Sequence, residues 1–179
     1  MDQVDKGRMV IALVSIAALM AIIAILGQSD KTSKPMNING DQLGMENSES
    51  LDHYVSRSRE SLSDFEGKAF ALVTFRGHFS VAEIGSVLDK SGIERVNAVV
   101  IGGATAIELP EPAQGANRAS VLTQQIVMRG ADEGDIRSVV VYDSVKPLQK
   151  LQEESKVLAV EALPPDAAWG RIGIRPVNL

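Results

Sequence analysis

Between Met9 and Leu26 the sequence MVIALVSIAALMAIIAIL runs for eighteen residues without a charge, a proline or a glycine. As a helix this run would reach ~27 Å at ~1.5 Å per residue, close to the ~30 Å hydrocarbon core of a bilayer. Ten of its residues are Ile, Leu or Val, and at roughly −0.3 to −0.6 kcal/mol each on an insertion scale they favour entry into lipid by about 3–6 kcal/mol. Its one polar side chain, Ser15, can hydrogen-bond to the helix's own backbone. The expectation is a single N-terminal transmembrane helix over residues 9–27, surrounded by lipid. The run is longer than the ~7–15-residue apolar region of a secretory signal, and its exit lacks an A-x-A-like site, which argues for a retained anchor.

Charge and composition narrow what lies beyond. Residues 1–8 carry Asp2, Asp5, Lys6 and Arg8 and sum to zero, so the formal charge of −5 belongs to the chain after the apolar run. An acidic domain without a Lys/Arg block argues against nucleic acid as a partner and against adhesion to anionic lipid. Cysteine is absent, which removes disulfides, thiolate metal sites and a cysteine nucleophile. Lys6 and Arg8 before the run nearly balance Lys31 and Lys34 after it, so positive charge alone sets no direction. A tail of eight residues is easier to leave in the cytoplasm than a whole domain. The expected topology is therefore a cytoplasmic tail 1–8, a membrane helix 9–27, a flexible linker 28–50 and an extracytoplasmic domain 51–179.

Within the apolar run, Ala17, Ala21 and Ala24 fall at i, i+4 and i+7. Such a stripe of small side chains lets two helix backbones approach closely in lipid. It marks helix packing against integral membrane subunits as the candidate contact. The linker is rich in Gly, Ser, Asn and Asp and has no apolar period. Leu51–Leu62 then reads as a helix at the domain's edge, with Leu51, Tyr54, Val55 and Leu62 on one side, Arg57 elsewhere, and Asn47 or Ser48 as its cap.

The remaining pattern alternates strand and helix. Ala69–Phe75 is apolar enough for burial on both faces. Ser80-Val81-Ala82-Glu83 is a capping box, its helix stripe is Val81, Ile84, Val87 and Leu88, and Gly92 suits a left-handed stop. Arg95–Ile101 is the next strand. A short edge strand at Ala106–Leu109 is blocked from extending by Pro110 and Pro112. A helix at Ala116–Arg129 should turn Ala119, Leu122, Ile126 and Met128 inward. Ile136–Tyr142 is a strand, followed by a helix capped by Asp143 or Ser144 and running through Ser155. Val157–Leu163 is the last core strand, and Arg171–Arg175 is a short extended piece. The fold class expected is an α/β (α+β) domain of two β-α-β units in the ferredoxin-like, split arrangement.

Chemistry is sparse. His78 lies in the loop after the first core strand, and Asp143 in the equivalent loop of the second unit. Loops at strand C-terminal ends hold ligands in many α/β sheets, so these two residues, expected near each other, are the ligand-loop candidates. No G-x-S-x-G occurs, no H-x-x-x-H, and no loop of EF-hand spacing. The acidic turn Ala131–Asp135 reads as a solvated turn. Gly102-Gly103-Ala104 lacks the lysine of a phosphate loop. No catalytic, cofactor-binding or metal-binding residue is assigned, and no enzyme activity is expected.

The stretches SLDHYVSRSRES, ALVTF followed by SVAEIGSVLDKSG, LPEP, and the ending VLAVEALPPDAAWGRIGIRPV resemble a family of actinobacterial proteins. That family has one N-terminal membrane helix and an extracytoplasmic α/β domain. The resemblance covers roughly residues 50–177 and carries over no catalytic residues. It implies an actinobacterial cell envelope and a non-enzymatic role. Together with the anchor and the chemically silent domain, it leads to the expectation of an accessory or scaffold subunit of a larger membrane complex, with a respiratory-chain supercomplex as a candidate host. The alternative is an extracytoplasmic sensor or small-ligand-binding module using the loops of His78 and Asp143.

Overall fold

The computed structural model describes residues 3–28, 40–63, 66–102, 105–113 and 116–177, without the side chains of 3–6, 10, 24–28, 105 and 133. The chain divides into two compact units, Met1–Ile38 and Asn39–Leu179. The first contains α1, Gln3–Gln28, a helix of 26 residues. Every side chain from 11 to 23 is exposed, and the run is apolar on all sides of the helix, without an amphipathic stripe. Among the described residues no helix is long and apolar enough to cross a membrane; the side chains of 10 and 24–27, which complete the expected membrane helix, are not among them. Residues 29–39, most of the expected linker, lie outside the described residues.

The second unit is an α+β domain. Its elements in chain order are β1 (Gln42–Leu43), α2 (Leu51–Ser61), β2 (Lys68–Phe75), α3 (Val81–Ser91), β3 (Arg95–Ile101), β4 (Thr105–Glu108), α4 (Arg118–Arg129), β5 (Ile136–Ser144), α5 (Val145–Glu153), β6 (Val157–Ala162) and β7 (Gly173–Ile174). Five strands form one sheet in the order β4-β3-β5-β2-β6, antiparallel at every pairing. Strands β2 and β3, which flank α3, are not neighbours; β5 of the second unit lies between them.

Local chemistry explains where the helices begin and end. Ser80 and Glu83 form the reciprocal capping box of α3, and Gly92 stops it at φ 79°. Asn117 and Ser120 do the same for α4. The cap of α2 is Ser50, whose side chain accepts from the His53 amide, and neither Asn47 nor Ser48 serves. Helix α5 ends at Glu153, two residues before the expected Ser155, and Ser144 precedes it without a side-chain capping bond.

One face of the sheet is covered by α3, α4 and α5. Ala71, Val73, Phe75, Val99, Val139, Val141 and Val160 of the strands meet Ile84, Leu88, Leu122, Ile126, Leu148 and Leu151 of the helices. Met128, expected inward, is 71% exposed; it follows Ile126 and Val127 in the last turn, rotated away from the stripe that Leu122 and Ile126 define.

The other face carries the main departure from expectation. Its strand residues Leu72, Ala98, Val100 and Val140 pack with Leu43, Leu163, Trp169, Ile172, Ile174 and Val177. Leu43 is 0% exposed, and β1 pairs in parallel with β7 through Gln42↔Gly173 and Leu43↔Ile174. The segment 40–50, expected as the end of a flexible 28–50 linker, is therefore part of the domain, whose described residues begin at 40 and not at 51. The physical reason is an apolar sheet face that the tail alone does not cover. A single leucine in a polar stretch supplies the missing piece. Helix α2 packs, as expected, at the domain's edge, on the edge strand β6: Tyr54 is 0% exposed and packs with Leu158 and Ala159 of that strand. Three aromatic residues meet on this face, with Phe70 4.6 Å from Tyr142 and stacked at 5.4 Å on Trp169 by ring centroids, while Phe75 and Phe79 pair edge-on on the helix-covered face.

Candidate functional site

His78 and Asp143 do not meet. Because β2 and β5 are antiparallel, Asp143 pairs with Ala69 at the start of β2, whereas His78 lies beyond its end. At ~3.3 Å per residue the two are separated by roughly 20 Å or more. The expectation that equivalent loops of the two units share one side of the sheet assumed parallel strands. The antiparallel pairing of β2 and β5 turns the second unit over and sends its loops to the opposite end.

Each of the two residues has a local role. The exposed His78 gives its Nδ1–H to the carbonyl of Gly134, in the acidic turn. Asp143 is 2% exposed. One of its oxygens accepts from the Glu94 amide at 2.7 Å and the other from the Ser144 amide at 2.7 Å. Buried and doubly bonded, this carboxylate ties the start of β3 to the end of β5. Ala17 and Ala21 are exposed on α1, and the Ala24 side chain lies outside the described residues.

The most organised polar cluster lies elsewhere, where α2, the 44–49 segment and β6 converge. Arg57 donates from Nε and Nη2 to the two oxygens of Glu49, at 2.9 and 3.0 Å. Its Nη1 donates to Glu161 at 2.5 Å and its Nη2 also to the Gly44 carbonyl at 3.1 Å. The Gly44 amide donates to the second oxygen of Glu161 at 2.6 Å. Glu49 further accepts from the Glu46 amide at 3.0 Å and sits 2.8 Å from His53 Nδ1. One planar guanidinium thus bridges two carboxylates and a backbone carbonyl, a geometry its fork of donors suits and a lysine cannot reproduce.

Environment separates the two acids. Arg57's hydrogen bonds hold the Glu49 carboxyl down at about 2, against a desolvation effect that pushes the other way. The Glu49 side chain is 4% exposed, yet what covers it is a single shell of its own partners near the surface. Burial among apolar neighbours pushes Glu161 up, against the pull of the Gly44 amide and Arg57. Arg57 is held above its ordinary value, first by Glu49. Burial, then the nearby Glu161 charge, raises the Tyr54 hydroxyl to about 12. The phenol stays neutral, 3.3 Å from Thr74 Oγ1.

An open hollow of about 430 Å³ lies over this cluster, lined by Glu46, Ser48, Glu49, Ser50, His53 and Arg57. The Arg57 and Glu49 groups at its floor are already engaged with each other, so the arrangement clamps chain segments together. Among the described residues no group of three or more potential ligands is placed to hold a metal ion.

The clamp has a testable pH signature. The folded pKa of Glu49 is depressed, so its contribution is present above the unfolded value of 4.5 and is lost as pH falls from there towards 2. With allowance for solvent screening this amounts to on the order of 1 kcal/mol. Glu161, shifted upward, has the opposite sign: its contribution is present below 4.5 and is lost as pH rises through its folded value. Glu49→Gln is therefore expected to flatten the fall of unfolding free energy between pH 4.5 and 2 in denaturant titrations. An unchanged acid limb would show that Glu49 does not anchor the clamp.

The helix pattern places Arg57 away from the side of Leu51, Tyr54, Val55 and Leu62, and assigns Glu161 no role. Two signals were available. Glu161 is the lone charge in the apolar strand VLAVEA, and Arg57 follows Tyr54 by three residues, which puts both on one helix face.

The fold and this cluster define an α+β domain with helices on one face of an antiparallel sheet, and with α2 and both ends of its own chain clamped across the other. The chain matches no known protein family, no characterised protein and no solved structure.

Proposed function

We propose that this chain is a non-catalytic accessory or scaffold subunit of a larger membrane complex, held in the bilayer by α1. The observation that carries the reading is the exposure of α1: Met9, Ile11, Leu13, Ile16, Leu19 and Ile23 are 52–68% exposed. A helix with that surface needs lipid or protein around it. The eighteen-residue uncharged run of 9–26 suits lipid. In this reading the tail 1–8 is cytoplasmic, the domain is extracytoplasmic, and the stripe Ala17, Ala21 and Ala24 packs on an integral membrane subunit. A respiratory-chain supercomplex of an actinobacterium is the host we propose to test first.

The domain itself we read as ferredoxin-like with an added outer strand. The order β3-β5-β2-β6 within the sheet, antiparallel throughout, supports that assignment. The alternative of a sensor or small-ligand module loses the paired loops of His78 and Asp143 on which it relied.

Purification of the tagged full chain in mild detergent, with mass spectrometry of what co-elutes, tests the reading. Stoichiometric membrane subunits are expected, and a clean monomer would defeat it. Replacing Ala17, Ala21 and Ala24 together with leucine should leave membrane insertion intact and lower partner recovery on the order of tenfold, the consequence of losing ~1–2 kcal/mol of close helix packing. Undiminished recovery would move the contact to the domain.

A further inference from the structure

The second face of the sheet is covered in part by two pieces of chain that bond to each other through the backbone and share no ladder with the sheet. The 40–50 segment and the 171–177 tail are joined by backbone bonds from the Gly173 amide to the Asp41 carbonyl and from the Arg175 amide to the Leu43 carbonyl, both 2.8 Å. Their two-residue strands form a separate sheet with no ladder to the five-stranded one. A two-stranded pair this short has little stability of its own.

What holds it against the sheet is buried Leu43, the partly buried Met45, Ile172, Ile174 and Val177, and the polar clamp in which Gly44 gives its amide to Glu161 and its carbonyl to Arg57. Arg57 is 33% exposed, so water can compete for it. No residue of 40–50 or 164–177 belongs to the helix-side core cluster.

We propose that the 40–50 strap and the 171–177 tail form a releasable layer, latched by Arg57. This layer opens as one unit and uncovers the second sheet face while the helix-side core stays closed. The row that opening exposes is set by register: Ala98 opposite Val140, Val140 opposite Leu72, and Leu72 opposite Glu161. Release is a sub-global opening of the kind in which a low-stability unit leaves a stable one intact. It does not depend on where α1 resides, since every contact involved lies within the domain. Its consequence is an apolar strip, Ala98-Val140-Leu72, that is displayed or hidden according to the state of one ion-paired cluster.

The chain contains no cysteine, so one introduced thiol is a background-free reporter. Val140→Cys faces the strap layer, and Val141→Cys, its neighbour, faces the helices; both valines are 0% exposed. Labelling with a small thiol reagent under native conditions reports the open population where closing is fast. In the full chain in detergent micelles, adding Arg57→Ala should raise the Val140→Cys rate on the order of tenfold and leave Val141→Cys within about twofold, because only one face is uncovered.

Amides of 41–44 and 173–175 should gain hydrogen exchange together. Equal acceleration of both thiols would mean that the whole domain opens, and no acceleration of either would mean that Arg57 is no latch; each overturns the proposal. If Arg57→Ala does not fold, Arg57→Lys, which keeps the charge and loses the fork, should give a smaller change on the Val140 side alone. The pair Ala98→Cys and Val99→Cys repeats the comparison on β3.

Discussion

Tyr54→Ala is expected to lower the unfolding free energy of the domain by about 3–5 kcal/mol, the range for truncating a large buried aromatic side chain. Tyr54 is fully buried, packs on Leu158 and Ala159, and holds its hydroxyl 3.3 Å from Thr74 Oγ1, which in turn lies 3.3 Å from Ser138 Oγ. Truncation would open a cavity between α2 and β6 and remove one partner from a buried hydroxyl chain. Tyr54→Phe keeps the ring and loses the hydrogen bond, so about 1 kcal/mol is expected. Urea titrations of the three proteins measure both steps. A loss below about 1 kcal/mol for the alanine variant would mean that Tyr54 does not anchor α2 to β6.

The second large effect falls on a residue with no side chain. Gly44 has φ +101°, and a Cβ placed on it would lie 2.2 Å from the Arg175 carbonyl oxygen. Gly44→Ala therefore combines a left-handed backbone, at about 1–2 kcal/mol, with a collision that only backbone movement relieves, for a total of roughly 3 kcal/mol. Gly92→Ala is the control. It has φ +79° and nothing within 4 Å of the added atom, so only the conformational cost of about 1–2 kcal/mol applies. Equal losses in denaturant midpoint would show that the tail does not press against the strap.

The cost of Gly44→Ala also bears on how the layer is held. The substitution pushes the strap off Arg175 and so strikes the backbone pairing that joins strap to tail. Arg57→Ala instead removes the bridge that ties the strap to β6. If the layer moves as one unit, both changes should raise thiol access at Val140→Cys and spare Val141→Cys.

Much of the fold was legible from neighbouring residues. The capping box at Ser80 and Glu83, the stop at Gly92 and the apolar runs of β2, β3, β5 and β6 are local signals, because caps and periodicity act over a few residues. The repeat of strand, capped helix and strand led to split β-α-β units. It carried no information about which end of the sheet each loop reaches, so Asp143 was set near His78. Strand direction comes from pairing between segments roughly seventy residues apart, such as Lys68 with Ser144, and no local pattern encodes it.

The candidate site was less legible still. Arg57 has one carboxylate partner eight residues away and another 104 residues away, and the second cannot be seen from its own helix. The segment 40–50 reads as linker because Leu43 and Met45 are its two apolar residues among polar ones. It becomes structure only because Glu161, Arg57 and β7 are waiting for it.

By itself, the sequence determined a continuous apolar run at residues 9–26, an acidic cysteine-free domain, and the type and order of its main helices and strands, since these depend on composition and short-range periodicity. The tertiary structure alone decided the order in which the strands pair and that the second face of the sheet is closed by the 40–50 and 164–177 segments. It also decided that Glu49, Arg57 and Glu161 meet there. Those outcomes turn on which distant surfaces remain apolar and uncovered once the sheet has formed, and burial of such surface is non-directional, so it leaves no mark on the spacing of residues along the chain.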